Sequence, residues 1–366
     1  MYNWQLPDWP QFTYDSAAVE DGLITYAERI GRITGMLQGV SPAMRTEALI
    51  SGMVAEAIKT SEIEGEYFSR KDVMSSIRHQ FGMVQEHEPV KDPRAEGISE
   101  LMMAVGDQPV EPLTETILFD WYVMLMKGNR KVRAGQWRVH SEPMQVVSGT
   151  IGKETVHFEA PPSERVADEM ERFIQWVNAT APNGSMPMRH APIRSAIAHL
   201  YFESIHPFED GNGRIGRAIS DRILAQHAGT ALPISLSQSI EADRNGYYNA
   251  LKAAQRSNTV TAWLVYFVRT TLDALREAEE RIHFVLRKAQ FFDRHAAALN
   301  PRQMKVVRRM LEEGPDGFEG GMNARKYSSI TGASKATATR DLQDLAEKGV
   351  LIVSGGGRST GYQVNL

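Results

Sequence analysis

Residues 206–217 read HPFEDGNGRIGR. These twelve residues hold one histidine, two adjacent carboxylates, three glycines, an asparagine and two arginines. A histidine moves protons at neutral pH, glycines leave backbone N–H groups uncovered, and arginines grip phosphates. Pro207 stops a helix arriving from the N-terminal side. Asp210, Gly211, Asn212 and Gly213 read as a loop, and a new helix opens near Arg214, because Ile215, Ile219 and Ile223 recur every four residues. A glycine-rich loop running into a helix start presents orphan N–H donors and the positive end of a dipole, which makes an anion cradle. Arg214 and Arg217, three apart, reach from one side of the first turn and suit a polyphosphate. His206 stands at the loop entrance, placed to take a proton from an attacking hydroxyl. Asp210 is a hard oxygen ligand for a Mg²⁺ already held by phosphates.

Two plainer readings compete. Gly211, Gly213 and Gly216 spell G-x-G-x-x-G, but a helix precedes them where a dinucleotide site needs a strand, and no acidic residue follows at the ribose distance. A turn with a surface cluster of ion pairs explains any one of these residues alone, but not all of them in this order.

Outward from the stretch, helical patterns dominate. "APIRSAIAHLYFESI" runs into His206, and a second helix carries Val166, Met170, Phe173 and Trp176 on one face. Upstream, "MQVVSGTIGKETVHFEAPP" reads as a β-hairpin closed by Pro161 and Pro162. The N-terminal region opens with an irregular arm containing Trp4 and Trp9. A helix with Leu23, Tyr26, Ile30, Ile33 and Leu37 follows, then one capped by Ser41 and Pro42 and ended by Gly65.

The dodecapeptide resembles the signature of Fic (filamentation-induced-by-cAMP) domain proteins, His-x-Phe-x-Asp/Glu-Gly-Asn-Gly-Arg-x-x-Arg, with every fixed position present. The resemblance implies a mainly α-helical Fic core and transfer of AMP from ATP to hydroxyl side chains of target proteins and of the enzyme itself. It further implies His206 as general base, Phe208 as a core anchor and Asp210 as the Mg²⁺ ligand. Gly211, Asn212 and Gly213 would contact phosphate, and Arg214 and Arg217 the β- and γ-phosphates. The hairpin, residues 144–158, looks like the flap that holds a target segment by strand addition. "SIEADRNGYYNAL" looks like the family's segment near the base, with Tyr247, Tyr248 and Asn249 as contacts; one of two adjacent helical tyrosines ordinarily faces the core. "TSEIEG", residues 60–65, resembles the family's inhibitory motif, in which the glutamate, here Glu64, pairs with the second signature arginine, Arg217. Its plain alternative is a solvated helix-end carboxylate among Glu62, Glu64 and Glu66.

The last 66 residues change character. Three short helical segments precede "GVLIVSGGGRSTGYQVNL", two strand-like runs around a glycine-rich turn. The pattern has the form of a winged helix-turn-helix, with Ser334 as a cap and Lys335, Thr337, Thr339 and Arg340 outward, and Arg358 at the wing tip. Residues 301–366 carry ten Lys/Arg against seven Asp/Glu, leaving −7 on the rest of a chain whose net charge is −4. That mild excess leaves two uses open: DNA binding through 323–358, or protein contact and homodimerisation.

The domain reading is an N-terminal segment 1–91 with the inhibitory motif, a Fic core 92–285, a linker 286–300 and the winged helix 301–366. The chain has 366 residues and no cysteine, so neither a disulfide framework nor a cysteine zinc site is expected. No apolar run reaches the roughly 20 residues of a membrane span and no secretory signal opens the chain, so a cytoplasmic protein with no membrane partner is expected. The enzyme reading stands beside two others. One is a DNA-binding transcriptional regulator that only senses a nucleotide, which would have no need of His206. The other is the same chemistry with another nucleotide, or removal of AMP from a target.

Overall fold

The computed structural model describes residues 1–83, 92–107, 110–148, 155–315, 317–354 and 361–366. In chain order the elements are α1 (Glu20–Gly39), α2 (Pro42–Ile63), α3 (Arg70–Gln80), α4 (Pro93–Gly106), α5 (Glu115–Leu125), β1 (Gln145–Ser148) and β2 (Thr155–Glu159). There follow α6 (Ser163–Ala179), α7 (Ala191–Ile205), α8 (Asn212–Ala228), α9 (Leu236–Ala242), α10 (Arg244–Ala254) and α11 (Thr261–His295). The last are α12 (Pro301–Leu311), α13 (Ala324–Thr331), α14 (Lys335–Glu347), β3 (Leu351–Ser354) and β4 (Gly361–Val364). The fold is mainly helical, and the strands form two antiparallel pairs, β1 with β2 and β3 with β4.

The chain divides into two compact units. One holds Met1–Gly39 and Leu49–Ala278; the other holds Val40–Ala48 and Glu279–Leu366. Of the three boundaries, one follows the end of α1 and two fall inside helices, α2 and α11. Residues 286–295, read from the sequence as the start of a linker, are instead the last turns of α11. Phe284 and Phe291 explain this: both are buried in the core of the second unit, so the amphipathic pattern has a reason to continue.

In the first unit, α7 is buried at all fifteen residues. A helix buried all round must satisfy its polar side chains internally. Arg194 donates to Thr180 Oγ1, Gln226 Oε1 and the Val177 carbonyl. Ser195 reaches the Ser220 carbonyl on α8, and His199 Nε2 lies 2.8 Å from the Tyr247 hydroxyl on α10. Around α7 and α8 pack Leu118, Trp121 and Tyr122 of α5 and Val166, Met170 and Phe173 of α6.

The N-terminal arm is irregular but tied down. Asn3 Nδ2 donates to Ser204 Oγ on α7, and Trp9 Nε1 to Glu169 on α6. The hairpin is present, with a bulge between Val146 and Val147. Its turn, residues 149–154, lies outside the described residues. On β2 the outward carbonyls of His157 and Glu159 accept from Arg256 and from Trp4 Nε1. Phe158 is buried, edge-on to Tyr2 at 4.9 Å.

In the second unit α12, α13 and α14 enclose Val306, Met310, Tyr327, Leu342 and Leu345. Asp341 gathers Arg302, at 3.0 Å, and the Tyr327 hydroxyl, at 2.8 Å. Gly332 ends α13 in the left-handed region and Ser334 caps α14 through Thr337 N–H, as their residue types require. Lys335, Thr339 and Arg340 are exposed; Thr337 is half-buried, its hydroxyl 3.0 Å from Ser334 Oγ. Arg358 lies outside the described residues.

Candidate active site

The site is built where α7 stops and α8 begins. His206 caps α7 with φ +52°, making it the one non-glycine residue at positive φ among those described. Such a backbone persists only when its surroundings impose it. Arg138, fully buried, contributes to that constraint. Its Nε donates to the His206 carbonyl at 2.8 Å and its backbone N–H to the Pro207 carbonyl at 2.9 Å. Its other guanidinium nitrogens reach Ser163 Oγ at 2.9 Å and the Pro161 carbonyl at 2.5 Å. One side chain thus joins the end of α7 to the segment leaving the hairpin.

The loop is closed from within. Asn212 Oδ1 accepts from the Phe208 N–H and Asn212 Nδ2 donates to the Phe208 carbonyl, at 2.9 and 2.8 Å. The Phe208 ring is buried and stacks on Tyr122 at 4.0 Å. Gly211 takes φ +77° as the cap of α8, and a Cβ there would lie 2.7 Å from Leu125 Cδ2. The helix therefore starts at Asn212, two residues before the expected Arg214, because the Asn212 side chain closes the turn early. That side chain is spent on the loop, so Asn212 has only its backbone N–H to offer an anion.

Both arginines of the first two turns are buried and paired with carboxylates from the end of α2. Arg217 donates from Nη2 to Glu64 Oε1 at 2.8 Å and to the Thr60 carbonyl at 3.0 Å, and from Nε to Thr60 Oγ1 at 2.8 Å. Arg214 donates from Nη1 to Glu66 Oε2 at 2.6 Å, and Asp210 Oδ1 stands 3.6 Å away. Gly65, at φ +81°, turns the chain after α2. The Glu66 N–H folds back onto the Ser61 carbonyl, and Arg244 holds the Ile63 carbonyl. Glu64 lies directly over α8: a Cβ on Gly213 would stand 2.5 Å from Glu64 Oε1. Burial pushes the Glu64 carboxyl up, but Arg217, with Arg214 and Arg244, outweighs it and holds the group below the usual carboxylate range.

His206 is 13 % exposed at its side chain. Burial, reinforced by the Arg138 charge, pulls the imidazole down to about 4, while the Glu203 backbone carbonyl and the Glu64 charge pull the other way. The ring is thus neutral at pH 7, the state a general base needs. Glu203 Oε2 stands 3.7 Å from His206 Nδ1. Burial drives that carboxyl up to about 8, with Arg217 opposing and Glu64 assisting.

Asp210 is half-exposed, and its Oδ1 accepts from the Gly211 N–H at 2.6 Å. No group of three His, Asp or Glu side chains converges on one point among the described residues. One carboxylate beside an anion cradle still fits Mg²⁺, which keeps several waters and takes a single carboxylate together with substrate phosphates.

Tyr247 is buried against His199 and belongs to the core, whereas Tyr248 and Asn249 are exposed on the same turn of α10. Tyr248 carries the Arg244 guanidinium over its ring at 6.0 Å. Sequence reasoning missed Arg138, Glu203 and Arg244, which carry no spacing signal. It weighed Glu66 only as a solvated carboxylate.

Residues 112–224, which contain this whole loop, match the model of the Fic/DOC family. The chain contains a Fic domain. Residues 2–83 match a second family, described as a domain of unknown function (DUF4172), so in this Fic protein the helix end carrying Glu64 and Glu66 lies within that second match. A stretch of 89 residues is 34 % identical to the protein adenylyltransferase Fic of Drosophila mojavensis, and likewise to that of Drosophila grimshawi. This is 24 % of the chain, which spans only 16–17 % of the length of those relatives. Among solved structures, a Fic family protein from Desulfovibrio desulfuricans superposes with a TM-score of 0.56, at 21 % identity, over 97 % of this chain and 98 % of that one. A Fic domain containing signaling protein from Bacteroides thetaiotaomicron gives 0.54, at 18 % identity, over 74 % and 97 %. At those identities the likeness concerns the fold.

Proposed function

We propose that this Fic protein is an adenylyltransferase that moves AMP from ATP to Ser, Thr or Tyr hydroxyls of target proteins and of itself, restrained by Glu64. The observation that carries the reading is the convergence of a neutral imidazole, a glycine-opened helix start and two buried arginines on one loop. The target hydroxyl gives its proton to His206 as its oxygen attacks the α-phosphorus, and the bond to pyrophosphate breaks. The first-turn N–H groups of α8 and the guanidiniums of Arg214 and Arg217 hold the polyphosphate in line. Asp210 would hold Mg²⁺ with the phosphate oxygens, and the ion would neutralise charge that builds on them. Tyr248 and Asn249 are the base contacts, and a target segment lies along the flap, residues 144–158.

Glu64 acts on this machinery by occupancy. It fills the Arg217 fork meant for the γ-phosphate and sets a negative charge over Gly213, where a polyanion must pass. ATP displaced by about 1 Å loses roughly 10²-fold in rate.

Incubation with labelled ATP and other labelled nucleotides tests the reading. Covalent label from ATP is expected in the parent, and loss of about 10²–10⁴-fold in His206→Ala. Unchanged labelling by that variant removes His206 as the base. Label from a different nucleotide replaces ATP in the scheme, and no covalent label from any favours a nucleotide sensor.

The exposed Lys335, Thr339 and Arg340 on α14 support a second role, DNA binding through 323–358. Its affinity would fall steeply with salt, because phosphate contacts release condensed counterions. A gel-shift titration that shows no retardation at low salt leaves that unit to protein contact or homodimerisation.

A further inference from the structure

We propose that a pocket adjoining the nucleotide cradle, between the start of α4 and the loop after α5, binds an organic phosphate whose place is held by Glu66. The cavity has a volume of about 520 Å³ and opens beside Arg214. Four cations line it, Arg94, Arg130, Lys131 and Arg214, against one lining carboxylate, Glu66. That carboxylate bridges two of them. Oε2 lies 2.6 Å from Arg214 Nη1, and Oε1 lies 3.4 Å from Arg94 Nη1. A carboxylate shared between two guanidiniums mimics the bidentate capture of a phosphate.

The cations are not fully answered by Glu66. Arg94 also pairs with Asp92, at 2.8 Å, and Arg214 has Asp210 at 3.6 Å. Arg214 is nevertheless 6 % exposed, and its buried Nε has no hydrogen-bond partner among the described residues. A buried donor without a partner is costly, and an incoming anion with more acceptor oxygens than a carboxylate relieves it. Arg130 and Lys131 are exposed and add charge at the rim. Apart from Asn129, the rest of the lining is apolar, with Phe68, Ile98 and Met126. The pocket therefore asks for two features: a phosphate for Arg94 and Arg214, and an apolar body behind it.

The pocket shares Arg214 with the nucleotide cradle and is otherwise apart from it, since Arg217 and Gly213 do not line it. Occupancy would draw Glu66 off Arg214, so the ligand competes with this chain's own carboxylate.

Calorimetric titration of the full chain, without nucleotide, with inorganic phosphate and with phenyl phosphate tests this. Phenyl phosphate is expected to bind more tightly than phosphate. Glu66→Gln is expected to tighten both by about tenfold, since it deletes a charged competitor. The pair Arg130→Ala with Lys131→Ala is expected to weaken both, whereas Arg217→Ala and Glu64→Gly leave them unchanged. Binding lost in Arg217→Ala, or tightened by Glu64→Gly and not by Glu66→Gln, places the anion in the cradle and overturns the pocket. So does an absence of binding by Glu66→Gln at millimolar phenyl phosphate. None of these readouts involves AMP transfer, so failure here is separable from failure of the proposed activity.

Discussion

Arg217 and Thr60 are joined twice: the guanidinium meets both the Thr60 hydroxyl, at 2.8 Å, and the Thr60 carbonyl, at 3.0 Å. The Glu64 carboxylate, one helical turn on, therefore closes a grip that Thr60 has already set. Glu64 is 31 % exposed at its side chain and Arg217 is 1 % exposed. The carboxylate can leave toward solvent while the guanidinium stays where it is.

Glu64→Gly is expected to raise the initial rate of self-labelling at saturating Mg²⁺-ATP, because the fork is vacated while Thr60 still orients it. Arg217→Ala is expected to lower the rate, losing the phosphate contact along with the brake. The double variant should resemble Arg217→Ala, since two partners of one contact do not add. Glu64→Gly should cost about 1.5–3 kcal/mol in stability, the range for a hydrogen bond to a charged group. The rates of the four proteins decide the matter: a Glu64→Gly rate no higher than the parent's reduces TSEIEG to a helix end.

Thr60→Ala removes the hydroxyl but not the carbonyl. A partial release is expected, between the parent and Glu64→Gly, with Thr60→Ser close to the parent because its Oγ can still accept. If Thr60→Ala labels as slowly as the parent, the Thr60 hydroxyl has no part in the brake.

Arg138 is a positioning residue for His206. It holds the carbonyl of a residue whose backbone is in the left-handed region, and burial lowers its guanidinium only to about 10, so it remains charged at neutral pH. Arg138→Lys cannot keep the fork that reaches His206, Ser163 and Pro161 together. The expected result is a lower kcat for labelling with little change in the KM for ATP, because the phosphate cradle does not touch Arg138. A KM change with unaltered kcat would contradict a role through His206.

How much of this was legible in the sequence follows from where each signal sits. The dodecapeptide keeps its chemistry in consecutive residues, so its helix–loop–helix form and its His206, Arg214 and Arg217 could be read directly. The Glu64–Arg217 pair spans 153 positions and was reached only through the resemblance of TSEIEG. Glu66 on Arg214 had no such help, because three alternating glutamates look alike until the left-handed Gly65 turns the second and third toward α8. Arg138 lies in "GQWRVH", where nothing in residue type or period separates a buried clamp from a surface arginine. Tyr247 shows the converse: its residue type fits a ligand contact, and its burial against His199 assigns it to the core. The start of α8 moved by two residues because the Asn212 side chain, not Arg214, closes the loop.

The pH dependence of stability offers a final test, centred on Glu203. Its folded pKa is raised to about 8 by burial, against about 4.3 for a free glutamate. A raised carboxyl binds more protons folded than unfolded, so its contribution is present below pH 4 and is lost as pH rises through 8. Asp221, pushed well above its usual range by burial with Glu56 adding to it, acts with the same sign. His206 and His199, both pulled down to about 4 by burial, act oppositely. Their contribution is present above pH 6.5 and is lost as pH falls toward 4. Between about pH 4 and 6.5 the two kinds of group offset one another, and above 6.5 the carboxyls act alone, so the parent should lose stability as pH rises from 6.5 to 8. Glu203→Gln stays neutral at every pH, so it should flatten the decline of Tm between pH 6.5 and 8 and steepen the loss on the acid side, where Glu203 no longer offsets the histidines. His206→Ala should act on the acid side alone, removing part of the loss below pH 6.5 and leaving the alkaline decline as it is. Thermal melts of the three proteins across pH 4 to 9 check both. An alkaline decline as steep in Glu203→Gln as in the parent would show that Glu203 is ionised in the folded chain at neutral pH, and that the carboxyl beside His206 Nδ1 is a negative charge there and not a neutral acid.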